Sequence, residues 1–173
     1  LVVEGEDIEI DRRILDELRD VLTHLIRNAV DHGLELPDAR ACEGKTRRGN
    51  VRVAANRPEN GNIELVISDD GAGFDVEEIR EKAVRNGMMG SAEAAAMTDT
   101  ELQQLIFEPG FSTSRMITEI SGRGLGMAIV RERVERLGGR LECQGEKGKG
   151  VTVRMFLPAA LATFKGVVVS CRD

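Results

Sequence analysis

Two pairs of strand-like runs, each joined by a short turn, limit the folds open to this chain more than any other feature of it. Residues 51–56 (VRVAAN) and 62–68 (NIELVIS) flank RPENG at 57–61, whose Asn60-Gly61 step favours a hairpin. Residues 140–144 and 151–157 flank GEKGKG at 145–150, and Pro158 stops the second run. Strands joined this closely pair antiparallel, because a parallel pair needs a crossover of roughly a dozen residues. An all-parallel, doubly wound sheet is therefore excluded.

Helical patterns fill the intervals. Asp11 precedes a run with apolar positions Ile14, Leu15, Leu18, Val21, Leu22, Leu25, Ile26, Ala29 and Val30, spaced for one buried helix face. This helix is expected to stop near Asp31 or His32, with Gly33 left-handed beyond its end and a loop or short helix over 33–49. Residues 2–10 alternate loosely and predict a strand before it. Asp75 can cap a helix over about 76–86, with Val76, Ile79, Ala83 and Val84 inward. Residues 87–122, rich in Gly, Ala, Met, Ser and Thr, hold one convincing helical pattern, 99–107, and read as a long lid or binding loop. A helix with Met127, Ile129, Val130, Val134 and Leu137 then runs to Gly138 and Gly139. The order β-α-β-β-α-lid-α-β-β predicts a two-layer α/β (α+β) sandwich, a mixed, largely antiparallel sheet with helices on one face.

A chain of 173 residues is the size of one domain. Thirty acidic against 24 basic residues give a net charge of −6, the wrong sign for coating phosphate backbones, so no nucleic-acid partner is expected. No apolar run approaches the roughly 18 residues of a membrane span and no signal-peptide pattern opens the chain, which predicts a cytoplasmic protein. Cys42, Cys143 and Cys171 are odd in number and far apart, and build neither a disulfide framework nor a Cys-x-x-Cys metal site. Leu1 as the first residue and the apolar run at 162–171 predict a piece of a longer chain, with 159–173 opening a second domain.

Three constellations carry chemistry. At about 100° per residue, His24, Arg27, Asn28, Asp31 and His32 share one stripe of the first helix, opposite its apolar arc. Asn, Asp and His are poor helix formers, so a stripe of them, holding both histidines of the chain, points to side chains kept for their polar groups. The alternative is a solvated face on which His32 complements the helix dipole. An amide carbonyl is a hard oxygen ligand suited to Mg2+, and imidazole or guanidinium can contact phosphate. DDGAG at 69–73 sets a carboxylate at a strand end before two glycines; it can accept from an adenine amino group while the glycines let a base approach, or it can be a plain turn. GRGLG at 122–126, directly before a helix, suits a phosphate cradle. It lacks the Gly-Lys-Ser/Thr of a Walker loop and the preceding strand of the dinucleotide fingerprint.

Taken in this order, HLIRNAVDHG (24–33), DDGAG (69–73), PGFSTS (109–114) and SGRGLGM (121–127) resemble the N, G1, F and G2 boxes of the GHKL ATPases, the Bergerat-fold superfamily of gyrase, MutL, the heat-shock chaperone and histidine kinases. Within it, the Arg27-Asn28 pair, the Asp31-His32-Gly33 ending and PGFSTS are similar to the ATP-binding catalytic domain of CheA-type chemotaxis histidine kinases, over about residues 3–158. The tail LPAALATFKGVVV resembles the start of that family's regulatory domain.

The resemblance implies a site. Asn28 becomes the Mg2+ ligand, with His24, Arg27 and His32 near the phosphates and Asp31 a further ATP-binding residue, and Asp69 binds the adenine amino group next to Gly71 and Gly73. Gly122, Gly124 and Gly126, in one box with Ser121, Arg123, Leu125 and Met127, form the cradle. Phe111, Ser112 and Thr113 belong to an ATP lid over about 87–122, and Lys82 is a further phosphate contact. The implied activity is transfer of the γ-phosphoryl group of MgATP to a histidine on a separate phosphoacceptor domain. Dimerisation and regulatory domains, a coupling protein and receptors are reached through the full-length chain, and this piece alone is a monomer. Two departures stand out: Val151 replaces the usual Thr, with Thr152 as a candidate substitute, and Ala128 replaces a common Asp. The alternatives are a serine-directed kinase of the anti-sigma type and a transfer-inactive nucleotide-binding scaffold. No Glu in the N box activates water, which predicts slow intrinsic hydrolysis.

Overall fold

In a computed structural model, whose described residues are 1–5, 7–58, 61–111 and 126–159, both expected hairpins form and join a five-stranded sheet. Its strands are β1 (Val2–Glu4), β2 (Val51–Asn56), β3 (Ile63–Asp69), β4 (Arg140–Glu146) and β5 (Gly150–Leu157), in the order β1-β2-β3-β5-β4. Only β1 and β2 run parallel, so the sheet is mixed and largely antiparallel. Strand alternation sends Ile63, Leu65 and Ile67 of β3, and Val153, Met155 and Leu157 of β5, into the core, while Glu64 and Arg154 pair at 3.1 Å on the other face.

The core is closed by α1 (Arg12–Asn28) and α6 (Met127–Arg136). Asp11 caps α1 by accepting the Arg13 N–H at 2.9 Å, and Ile14, Leu18, Val21 and Leu25 are buried. Leu15 and Val30, expected to face inward, lie at the margins of the apolar arc and are exposed. Outside the core, Arg133 pairs with Asp20 and Arg136 with Glu17, each at 2.9 Å, locking the two helices together.

The end of α1 departs from expectation. Gly33 is not left-handed; the helix widens into a single π turn over Ala29–Gly33, closed by the Leu34 N–H donating to the Ala29 carbonyl at 2.8 Å. The segment after it holds α2 (Pro37–Cys42), the short helix allowed for.

At the β4 edge a second group of helices packs. Asp75 caps α3 (Val76–Arg85) as expected, taking the N–H groups of Glu77 and Glu78. The 99–107 pattern divides into α5 (Asp99–Gln104) and a 3-10 turn (Leu105–Phe107), and α4 (Ser91–Ala96) is an addition. Alanine-rich α4 buries only Ala94, so it leaves no apolar periodicity to read. Ile79, Ala83, Leu102 and Phe111 form a second cluster with Met88, Met89 and Met97 against it. Residues 87–111 of the expected lid therefore include packed helices. Ser112, Thr113, Ser121, Gly122, Arg123, Gly124, Leu125 and the tail 160–173 lie outside the described residues.

Edge strand β4 is not left open. The Gln103 amide donates to the Gly145 carbonyl at 2.8 Å and accepts its N–H at 3.0 Å, and Gln104 donates to the Cys143 carbonyl at 3.0 Å. Two side chains thus stand in for a missing strand. Among the described residues no helix is long and apolar enough to cross a membrane.

Candidate nucleotide site

The sheet delivers Asp69 to the last position of β3, on the face that carries Ile67, where the turn 70–73 begins. Its Oδ1 accepts the Gly71 N–H at 2.9 Å and the Val151 N–H at 3.4 Å. No described residue donates to Oδ2, which leaves one carboxylate oxygen held and the other open. Burial raises the Asp69 carboxyl above its ordinary value, against the lowering effect of those two N–H groups. The turn is tightly enclosed. A Cβ on Gly71 would stand 2.0 Å from the Gly33 carbonyl oxygen, and one on Gly73, at φ +71°, would stand 1.9 Å from the Glu146 carbonyl oxygen. Both glycines are thus required by backbone packing, whatever ligand lies near them.

Asn28 ends α1 with its amide fixed. Nδ2 lies 3.0 Å from His24 Nε2 and donates to the Met127 sulfur at 3.1 Å, so the amino group is engaged and the carbonyl oxygen carries no hydrogen bond from any described residue. Met127 opens α6, and its contact with Asn28 draws the two helix ends together. Burial holds His24 below its ordinary value, with neighbouring Arg27 and His32 acting in the same direction. A neutral ring can accept the Asn28 N–H. Arg27, Asp31 and His32 are exposed, and among the described residues none of their side chains forms a hydrogen bond or ion pair.

The two halves meet through backbone. The Ala72 N–H donates to the Gly33 carbonyl at 2.8 Å, joining the π turn to the Asp69 turn, and the place of a Gly33 Cβ lies 3.4 Å from the Asp69 carboxylate. Gly126 forms the N-cap of α6, and no side chain of the described residues caps that helix start, as an anion site requires.

Other expected residues fall in different places. Lys82 sits on α3 with Nζ 4.9 Å from the centre of the Phe111 ring, which lies within the expected lid. Thr152 pairs with Ser68 and Gln144, and alternation puts its side chain on the face opposite Asp69 and Val151, so it does not replace the missing Thr at 151. An open hollow of about 330 Å³ between Phe74, Asp99, Gln103 and Lys147 contains none of the expected ligands. Cys143 is buried, and desolvation, with the Asp69 charge adding to it, pushes its thiol up to about 12, which makes it inert.

Sequence reasoning missed a buried ion cluster behind the turn. Arg40, on α2, is 1% exposed. Its guanidinium donates to Glu35 at 2.9 Å, to the Thr46 carbonyl at 2.8 Å and to the Asp70 carbonyl at 3.0 Å, and pairs with the Asp70 carboxylate at 3.0 Å. Lys45 bonds Glu35 and donates to the Gly71 carbonyl at 2.8 Å. Burial works against ionisation of Asp70, but hydrogen bonds from Asn50 and the Arg40 charge hold its carboxyl below the ordinary value. Arginine in a six-residue helix gives no sign of burial until its partners are known.

At one end of the α/β sandwich a half-held carboxylate on a strand and a half-held amide on a helix are thus tied together through the Ala72–Gly33 hydrogen bond, which makes this end the candidate nucleotide site. The sequence matches the histidine kinase-, DNA gyrase B- and HSP90-like ATPases over residues 14–161, and the chain belongs to that family. It is 44% identical to the chemotaxis protein CheA of Rhizobium meliloti over 98% of this chain and 22% of the relative, and 44% identical to that of Halobacterium salinarum over 97% and 25%. The chain thus spans about a quarter of the length of these curated relatives. Among solved structures, the blue-light activated histidine kinase of Erythrobacter litoralis matches with a TM-score of 0.55 at 15% identity, over 91% of this chain and 34% of that one, a likeness of fold.

Proposed function

We propose that this chain is the ATP-binding catalytic module of a CheA-like histidine kinase, which presents the γ-phosphoryl group of MgATP to a histidine on a separate phosphoacceptor domain. The observation that carries the reading is the pairing of Asp69 and Asn28 at one end of the fold, each with one polar atom engaged and the other open. Asp69 Oδ2 accepts the adenine amino group. Arg27 and His32, exposed and with no side-chain partner among the described residues, contact phosphate oxygens with the start of α6 and the 122–126 segment, while Phe111, Ser112, Thr113 and Lys82 form the closing side that excludes water.

Mg2+ suits this donor set: it takes few protein ligands, all oxygen, and the open Asn28 carbonyl is one such ligand. No group of three His, Cys, Asp or Glu side chains competes for a softer ion among the described residues. Bound there with ATP, the ion would supply neutralisation of the phosphate charge. Both histidines of the chain lie on the α1 stripe, so the acceptor imidazole belongs to another domain. A cytoplasmic kinase with dimerisation and regulatory domains elsewhere in its chain, coupled to receptors, is the setting this reading requires.

The test mixes the chain with labelled ATP, Mg2+ and an isolated phosphoacceptor-histidine domain. Acid-labile, base-stable phosphoprotein is the expected product. Acid-stable phosphoserine would assign the chain to the anti-sigma type, and no phosphoprotein despite ATP binding would make it a scaffold.

A further inference from the structure

The peptide units that follow Asp69 are held at both ends. The 70–71 peptide donates its N–H to Asp69 Oδ1 at 2.9 Å, and its carbonyl accepts from Arg40 Nη1 at 3.0 Å. The next peptide donates its N–H to the Gly33 carbonyl at 2.8 Å, and its carbonyl accepts from Lys45 Nζ at 2.8 Å. One acid, Glu35, holds both cations, bonding Arg40 at 2.9 Å and Lys45 directly. The Asp70 side chain adds a further tie, taking the Asn50 N–H at 2.9 Å and the Arg40 guanidinium at 3.0 Å.

This arrangement has a consequence for the open oxygen. A carboxylate free to rotate exchanges its two oxygens, whereas one whose Oδ1 is fixed by an oriented N–H presents Oδ2 in a single direction. A cation on a peptide carbonyl also polarises that peptide and strengthens its N–H as a donor. In the reading above Arg40 and Lys45 contact no nucleotide themselves; they act through the 70–71 and 71–72 peptides.

We propose that Arg40 and Lys45, joined by Glu35, are positioning residues that aim the Asp69 carboxylate and thereby set the preference of this site for a 6-amino over a 6-keto purine nucleotide. This rests on the reading of Asp69 as acceptor for the adenine amino group. Loss of the bracket costs affinity where the amino group is read and little where a keto oxygen replaces it.

The experiment is calorimetric titration of the 173-residue chain with ATP and with ITP, in which a 6-keto group and an N1–H replace the 6-amino group and the bare N1 of adenine, for wild type, Asp69→Asn, Arg40→Gln, Arg40→Lys and Lys45→Met, with the thermal midpoint of each. In folded Arg40→Gln and Lys45→Met, ATP affinity is expected to fall about tenfold and ITP affinity to hold within about twofold, so that the ATP/ITP ratio collapses. Arg40→Lys recovers part of the ratio. A structural role alone would lower the midpoint and weaken both nucleotides together, which overturns the proposal. Should Arg40→Gln not fold, Lys45→Met decides, because its side chain lies nearer the surface. An unchanged ratio in Lys45→Met, with a collapsed one in Asp69→Asn, sinks the positioning role alone; an unchanged ratio in Asp69→Asn removes the base-reading role as well.

Discussion

Asp69 sits in a half-buried place, where two N–H groups offset only part of the loss of solvent and its carboxyl is raised above the ordinary value. Its folded-state value is raised, so the native chain holds this proton more tightly than the unfolded chain does. Stability therefore falls as pH rises from about 3.9 through the raised value, and above it the full cost remains. Asp69→Asn should raise the thermal midpoint of the nucleotide-free chain at neutral pH, with the gain vanishing below about pH 3.5, while destroying the acceptor for adenine. Thermal unfolding of the pair at both pH values checks this, and an Asn variant less stable at neutral pH contradicts it. Asp69 and Asn28 were legible because a carboxylate before two glycines and an amide on a polar stripe are local patterns. The Val151 N–H on Asp69, and Arg40 behind it, were not, since each depends on a strand register or a buried partner remote in sequence.

Whole elements divide along the same physical line. Both hairpins and α1 follow from turn chemistry and from an apolar period long enough to dominate local preferences. The π turn escaped notice because what stabilises it is tertiary, the Gly33 carbonyl taking the Ala72 N–H. Two substitutions test the element-level account. Leu18, fully buried between α1 and the sheet, should cost about 2–5 kcal/mol on replacement by alanine, read by urea unfolding. Gln103→Ala leaves the Gly145 N–H and carbonyl without their partner at the β4 edge, and should cost about 1–3 kcal/mol. A neutral result at Gln103 would mean that the edge needs no cover, and that α5 is placed by the Leu102 and Phe111 cluster alone.

On the scale of the molecule, the sheet and its two helix groups converge three pieces distant in sequence: the end of α1, the turn after β3 and the start of α6. Ordered boxes in the sequence identify those pieces, whereas the ion cluster that braces one of them emerges only when the chain is folded. With no N-box glutamate to activate water, the chain alone should hydrolyse ATP slowly; rapid turnover in a phosphate-release assay would instead mark a dedicated ATPase. The most direct measurement is calorimetric titration of the chain with ATP, with and without Mg2+, for wild type, Asp69→Asn and Asn28→Ala. The account predicts that wild type binds, that Asp69→Asn loses roughly a hundredfold in affinity, and that Asn28→Ala loses mainly the increment due to Mg2+. Binding left intact by Asp69→Asn, or no binding by folded wild type, would contradict it.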